Sequence, residues 1–226
     1  MIVRDNGVTV NDAAPHLLFL FDMDEVLYTY DWRARMAGMT ELTGHDLDEL
    51  RRRWWNDEGE WRAEAGGFAD GDEYLAAFRV AMGCHVDEAD WARIRGGAMS
   101  PIPHALEAVR IAATAGRVAL LTNNGPLAGR HIRSWAPEID RLFGAHVDTT
   151  SNFGARKPDP EVFRRACAHH GYPPERTFFA DDQLRNVEGA RSIGITAVHV
   201  TPETDLRVAV RDFIEDRSRE AGLRSA

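Results

Sequence analysis

Apolar runs that stop abruptly at polar residues set the rhythm of this chain. Residues Leu17 to Phe21 read Leu-Leu-Phe-Leu-Phe and end at Asp22-Met23-Asp24-Glu25-Val26. A short, wholly apolar run closed by such a break predicts a buried strand of a parallel sheet. Val118 to Leu121, Thr177 to Ala180 and Thr196 to Val200 repeat the pattern. Helical periodicity fills the intervals. Pro103 fits the first turn of a helix that Gly116 closes, with Leu106, Val109 and Ala113 on one face. Asp159-Pro160 starts a second helix that runs to Gly171, with Val162, Phe163, Ala166 and Cys167 inward. A third covers Asn186 to Ile193 and ends at Gly194. Strands separated by helices of this length predict a parallel sheet covered on both faces.

One stretch breaks the alternation. From about Tyr28 to Met99 no strand pattern is evident, and five of the six tryptophans fall there. Asp72 to Met82 places Tyr74, Leu75, Phe78 and Met82 on one helical face. The expected organisation is therefore an α/β core built from residues 1–28 and 99–226, with residues 29–98 inserted as a helical domain. Within the insertion, Arg51-Arg52-Arg53-Trp54-Trp55 is a candidate substrate-reading patch, with Arg53, Trp54 and Trp55 the side chains proposed to reach a ligand. The competing reading is a solvated helix face whose arginine stems cover tryptophan rings.

Composition narrows the partners. The 226 residues carry 27 Lys and Arg against 36 Asp and Glu, a net charge of −9. That balance argues against a nucleic-acid binder, although a local site can still be positive. Cys84 and Cys167 lie in unrelated contexts, so no disulfide framework or cysteine metal site is implied. Both are expected to be reduced thiols of a cytoplasmic protein. The segment Met1 to Pro15 lacks signal-peptide features, and no apolar run approaches a membrane span. The expected molecule is a monomer or homodimer without membrane or nucleic-acid partners.

The chemistry lies where the strands end. If the strands are parallel, Asp22 and Asp24, Thr122 and Asn123, and Asp181 and Asp182 share one edge of the sheet. The loop Arg156-Lys157-Pro158-Asp159-Pro160 joins them. Ligands of open α/β sheets bind beyond the carboxyl ends of the strands. An Asp there can form a covalent intermediate, and a second can protonate a leaving oxygen and later deprotonate water. Several carboxylates in one place call for a divalent cation such as Mg²⁺. A Lys and a Thr hydroxyl can hold phosphoryl oxygens.

Four pieces in this order resemble the haloacid dehalogenase superfamily of hydrolases: Phe21-Asp22-Met23-Asp24-Glu25-Val26, Leu121-Thr122-Asn123-Asn124, Arg156-Lys157-Pro158-Asp159-Pro160, and Phe178-Phe179-Ala180-Asp181-Asp182 with Asn186 and Gly189-Ala190. The resemblance implies a Rossmann-like, doubly wound parallel sheet with an inserted α-helical cap. It implies that Asp22 is the nucleophile that carries phosphate, and that Asp24 is the general acid/base. Thr122 and the amide of Asn123 would bind the phosphoryl group, and Lys157 would neutralise nucleophile and phosphate. Asp22, Asp24 (through its carbonyl), Asp182 and Asp181 would hold Mg²⁺, with Asn186 in support. Glu25 departs from the Gly that phosphatases of the family often carry there.

Asp24 also bears on the reaction. Dehalogenases of the superfamily have a non-acidic residue at its position, because a halide needs no proton, whereas a phosphate ester does. The expected activity is hydrolysis of a small phosphorylated metabolite, such as a sugar phosphate. A dehalogenase, a phosphomutase and a non-catalytic binding module are the alternatives. Elsewhere, His169-His170 are expected on the surface, His199 as a partly buried strand histidine, and Cys84-His85 as no more than a weak nucleophile–base pair.

Overall fold

A computed structural model describes residues 17–223; the segment Met1 to Pro15 read above lies outside them. The chain opens with β1 (Leu18–Phe21) and β2 (Tyr28–Tyr30). Helices α1 (Trp32–Thr43), α2 (Leu47–Arg53), α3 (Glu60–Glu64), α4 (Gly71–Met82) and α5 (Glu88–Gly97) follow, and then β3 (Met99–Pro101). Alternation resumes with α6 (Pro103–Ala113), β4 (Arg117–Thr122), α7 (Pro126–Trp135), α8 (Pro137–Phe143) and β5 (Val147–Thr149). It continues through α9 (Pro160–His170), β6 (Thr177–Asp181), α10 (Leu184–Arg191), β7 (Thr196–His199) and α11 (Leu206–Leu223). No helix among the described residues is long and apolar enough to cross a membrane.

The main sheet has the order β5-β4-β1-β6-β7, with every neighbouring pair parallel. This is the expected doubly wound sheet. The chain leaves β1 towards β4 and β5, then returns to β6 on the other side. The strand order thus reverses beside β1, and a crevice opens at its carboxyl end. Alternate residues of β1 serve opposite faces. Leu18 and Leu20 pack with Val162, Phe163 and Val187 of α9 and α10. Phe19 and Phe21 pack with Leu106, Val109, Val210 and Phe213 of α6 and α11. Burial on both faces is why the strand reads as an unbroken apolar run.

Two details correct the reading from sequence. The inward stripe of α6 is Ala105, Ala108, Val109 and Ala112 with Leu106, and Ala113 is exposed. A stripe at i, i+3, i+4 and i+7 from Ala105 reaches Ala112 and stops one residue short of Ala113. The helical stretch is also bounded by short strands. β2 and β3 pair antiparallel, with Tyr28 opposite Pro101 and Tyr30 opposite Met99, so its entry and exit lie side by side.

Helices α1 to α5 bury a core of their own. Trp54 sits at its centre, stacked on Phe68 with ring centroids 5.9 Å apart and edge-on to Tyr74 and Phe78. Its indole N–H donates to Glu60 Oε2 at 2.8 Å, which satisfies the one polar atom of a buried ring. Tyr74, Leu75, Phe78 and Met82 face this core as expected. Leu127 and Ala128 of α7 join the same cluster, which packs the helical segment against the α/β core.

Candidate active site

Asp22 is the first residue past β1, and its backbone N–H donates to Ala180 of β6 at 3.0 Å. The sheet ladder therefore fixes the carboxylate at the mouth of the crevice. Its Oδ1 accepts the Met23 N–H at 2.8 Å and lies 2.9 Å from the Lys157 ammonium. The same ammonium donates to Asp181 Oδ2 at 2.6 Å. One buried cation is thus shared by two buried acids. Asn123 holds that cation in place through the backbone of Lys157. Its side-chain oxygen accepts the Lys157 N–H at 2.9 Å and its amide donates to the Lys157 carbonyl at 3.0 Å.

Asp181 is wholly committed. Besides Lys157, it accepts from the Gln183 backbone N–H at 2.8 Å and from the Asn186 amide at 2.9 Å. Asp182 is freer: its Oδ2 accepts from the Gln183 side chain at 2.6 Å. Its carbonyl contacts His199 Nε2 at 2.9 Å, the partly buried strand position expected for His199. Thr122 is buried, and its hydroxyl accepts from Asn124 at 2.9 Å.

Charge is unevenly distributed here. Burial drives the Asp22 carboxyl well above its ordinary value, Lys157 opposes this, and Asp181 and Asp24 add to the rise. Burial works against the Lys157 ammonium, but Asp181 and Asp22 outweigh it and raise its pKa. Burial also raises Asp182. Asp22, Asp181 and Asp182 each offer a carboxylate oxygen, and these oxygens lie within 4.8 Å of one another. Three carboxylates against one ammonium leave excess negative charge, and Asp22 and Asp182 keep oxygens that Lys157 and its neighbours do not occupy. That donor set fits a hard divalent cation such as Mg²⁺.

The Asp24 side chain turns towards the helical segment. Arg95 Nη2, from α5, donates to its two oxygens at 2.9 and 2.7 Å. The Arg95 guanidinium lies over the Tyr30 ring at 4.3 Å and near the Trp135 ring at 5.5 Å, so an almost completely buried arginine grips a partly exposed acid. Nothing local in the sequence marks Arg95. A cleft of 350 Å³ opens beside this pair, lined by Asn123 and Asn124 below and by Trp32, Arg35, Arg51 and Trp55 above. In the patch read from sequence, Arg51 and Trp55 line this cleft, while Trp54 is core. Arg53 turns away to the Ala81 carbonyl at 2.9 Å and to Glu49 at 3.3 Å.

Glu25 adopts the left-handed backbone, φ 57°, which explains why glycine suits this place. Its N–H donates to the Tyr28 carbonyl at 2.7 Å and its carboxylate accepts the Tyr30 N–H at 2.6 Å, both holding the turn. His85 pairs with Asp87 at 3.0 Å, and among the described residues no hydrogen bond joins it to Cys84. One expectation fails: His170 is buried, and His169 alone is exposed. Position 170 continues the inward stripe of Phe163, Ala166 and Cys167, at i+7 from Phe163.

The chain belongs to the haloacid dehalogenase-like hydrolases, whose family model matches residues 17–194. It is 28% identical over 190 residues to phosphatase MT3486 of Mycobacterium tuberculosis, covering 79% of this chain and 84% of that one. Among solved structures it is similar to the enzyme bt-2542 of Bacteroides thetaiotaomicron in complex with magnesium and inorganic phosphate. That likeness has a TM-score of 0.70 at 19% identity, covering 84% of this chain and 96% of the other. It is also similar to the L-2-haloacid dehalogenase PA0810, with a TM-score of 0.55 at 20% identity over 84% of this chain and 86% of the other. The fold is therefore common to phosphatases and dehalogenases, and the choice between them falls to the site.

Proposed function

We propose that this hydrolase is a Mg²⁺-dependent phosphatase that cleaves a small phosphorylated metabolite through a phosphoryl group carried on Asp22. The observation that carries the reading is the pairing of two acids with different surroundings. Asp22 is buried against Lys157, while Asp24, two residues on, faces the cleft where a leaving group would lie. A dehalogenase has no use for the second acid.

The proposed steps follow from those positions. An Asp22 oxygen attacks phosphorus, the bond to the ester oxygen breaks, and Asp24 protonates the departing alkoxide. Asp24 then takes a proton from water, the water oxygen attacks phosphorus, and the Asp22 carboxylate leaves. Lys157 opposes the burial that raises the Asp22 carboxyl and so favours its ionised form for attack. The Thr122 hydroxyl and the Asn123 backbone N–H are suited to the phosphoryl oxygens. Asp22, Asp182 and the Asp24 carbonyl would hold Mg²⁺, with Asp181, whose oxygens are already engaged, orienting Lys157. The metal supplies charge neutralisation for an anionic phosphoryl group beside carboxylates. Residues 29–98 act as a cap that closes over the cleft and excludes water, with Arg51 and Trp55 contacting the leaving group and Arg95 orienting Asp24.

Hydrolysis of p-nitrophenyl phosphate with Mg²⁺ tests the reading. Asp22→Asn and EDTA should each abolish it. Asp24→Asn should lower the rate roughly 10²–10⁴-fold on alkyl phosphates and less on aryl phosphates, whose leaving groups need less protonation. Radiolabelled phosphate should be trapped on the wild type and not on Asp22→Asn. Substantial activity in Asp22→Asn would sink the assignment.

A further inference from the structure

The burial of His170 has a consequence at the edge strand β5. Asp148 Oδ2 lies 3.2 Å from His170 Nε2, with the two side chains 10% and 2% exposed. Both atoms are shielded from solvent, and neither makes a hydrogen bond among the described residues. A histidinium–carboxylate pair at this separation would normally line up its N–H with the oxygen. Here the two atoms converge out of line. Exposed His169 completes the group: one ligand atom from each of Asp148, His169 and His170 lies within 4.8 Å of the others. His146 flanks them, its ring centroid 5.4 Å from that of His170. Arg117 donates to the His170 carbonyl at 3.0 Å, which anchors the last turn of α9 and leaves the imidazole untouched.

We propose that Asp148, His169 and His170 form a second metal site, of the Zn²⁺ type and distinct from the acidic site at Asp22. Two imidazoles and one carboxylate select a borderline transition metal, whereas the all-oxygen site suits Mg²⁺. The spacing agrees. Ligands about 2.1 Å from a tetrahedral zinc sit about 3.4 Å apart, close to the 3.2 Å between Asp148 and His170. The exposed side leaves a fourth position for water. The site ties the end of α9 to β5, the two elements that bracket the loop carrying Lys157.

Calorimetric titration of the full chain with Zn²⁺ under saturating Mg²⁺, which occupies the acidic site, tests the proposal. Co²⁺ is the spectroscopic substitute. The expected result is one equivalent of Zn²⁺ bound and an intense visible Co²⁺ band typical of low coordination number. Asp148→Asn and His170→Gln should weaken binding at least tenfold, as should His169→Gln, a surface change that spares the core. Asp182→Asn should leave this binding intact. Zn²⁺ at a hundredfold excess over the wild-type dissociation constant should shift the wild-type unfolding equilibrium about 100-fold and the His169→Gln equilibrium by no more than about 11-fold. No uptake by the wild type under Mg²⁺, or undiminished uptake by all three ligand variants, would overturn the site and leave Asp148 and His170 as an ion pair. Because the readout is metal bound rather than turnover, failure of the phosphatase reading would not affect it.

Discussion

Lys157→Met is the substitution that most directly tests how the acidic site is held together. Methionine fills nearly the same volume, so the change is chiefly one of charge. In the native protein the ammonium lies 2.9 Å from Asp22 and 2.6 Å from Asp181. At an effective dielectric of about 20, each contact is an attraction of about 6 kcal/mol. Dehydration of three buried charges offsets most of that. What remains visible on removing one partner of a buried pair is about 3–5 kcal/mol. Urea unfolding of Lys157→Met at pH 8 should show a loss of that size. The loss should shrink in acid, because a proton can replace the ammonium between the two carboxylates. The sign follows from linkage. Asp22 is already raised with Lys157 present and rises further without it. The folded variant then binds more protons than the unfolded chain, so its stability falls as pH climbs from the ordinary carboxylate range to the elevated folded value. Adding Asp181→Asn should restore a large part of the stability while the proposed phosphatase activity stays lost. A deficit under about 1 kcal/mol that does not change with pH would refute the shared-cation argument.

The other predictions concern the rim of the site. Arg95→Ala should cost about 1–3 kcal/mol in urea unfolding, from the lost contacts with Asp24, Tyr30 and Trp135, and Arg95→Lys should not restore it, since an ammonium cannot stack as a guanidinium does. Glu25→Gly relieves a left-handed backbone worth about 1–2 kcal/mol but loses the bond to Tyr30 worth about 1, so its stability should change by less than about 1 kcal/mol, whereas Glu25→Ala keeps the strain and should be clearly less stable than the glycine variant. Burial, opposed by Arg156, raises the Glu64 carboxyl to about 7. Wild-type stability should therefore fall by up to roughly 3 kcal/mol between the ordinary carboxylate pKa and pH 7 relative to Glu64→Gln; parallel pH profiles for the two proteins would contradict that pKa.

Legibility followed the range of the interaction. The strands of the main sheet show in sequence because burial on both faces forces continuous apolar runs, as in Leu17 to Phe21. The start of α9 shows because Asp159 caps it, its side chain accepting from the Glu161 N–H at 2.9 Å. The strands β2 and β3 do not show, because each is three residues long and their pairing spans the whole helical segment. A Met-Ser-Pro triplet carries no strand signal of its own. His170 was legible in principle, since the apolar stripe of α9 runs into it, but an adjacent pair of histidines reads as polar surface unless the helical phase is followed to its end.

The same rule divides the site. Polar residues at the carboxyl ends of parallel strands share an edge, so the sequence alone groups Asp22, Thr122, Asp181 and Asp182. What the edge does with them depends on contacts that join distant segments. Asn123 belongs to the motif beside Thr122, and its side chain braces the backbone of Lys157, 34 positions on. Arg95 reaches Asp24 across 71 positions. These two links have a common form: in each, a residue from another element fixes the charge carrier that the motif supplies. Asn123 fixes the cation between Asp22 and Asp181, and Arg95 fixes the acid that faces the cleft. The motif residues thus state which charges are present. The bracing residues decide where they point, and Arg95, which comes from the helical segment, makes the direction of Asp24 depend on how that segment sits over the sheet.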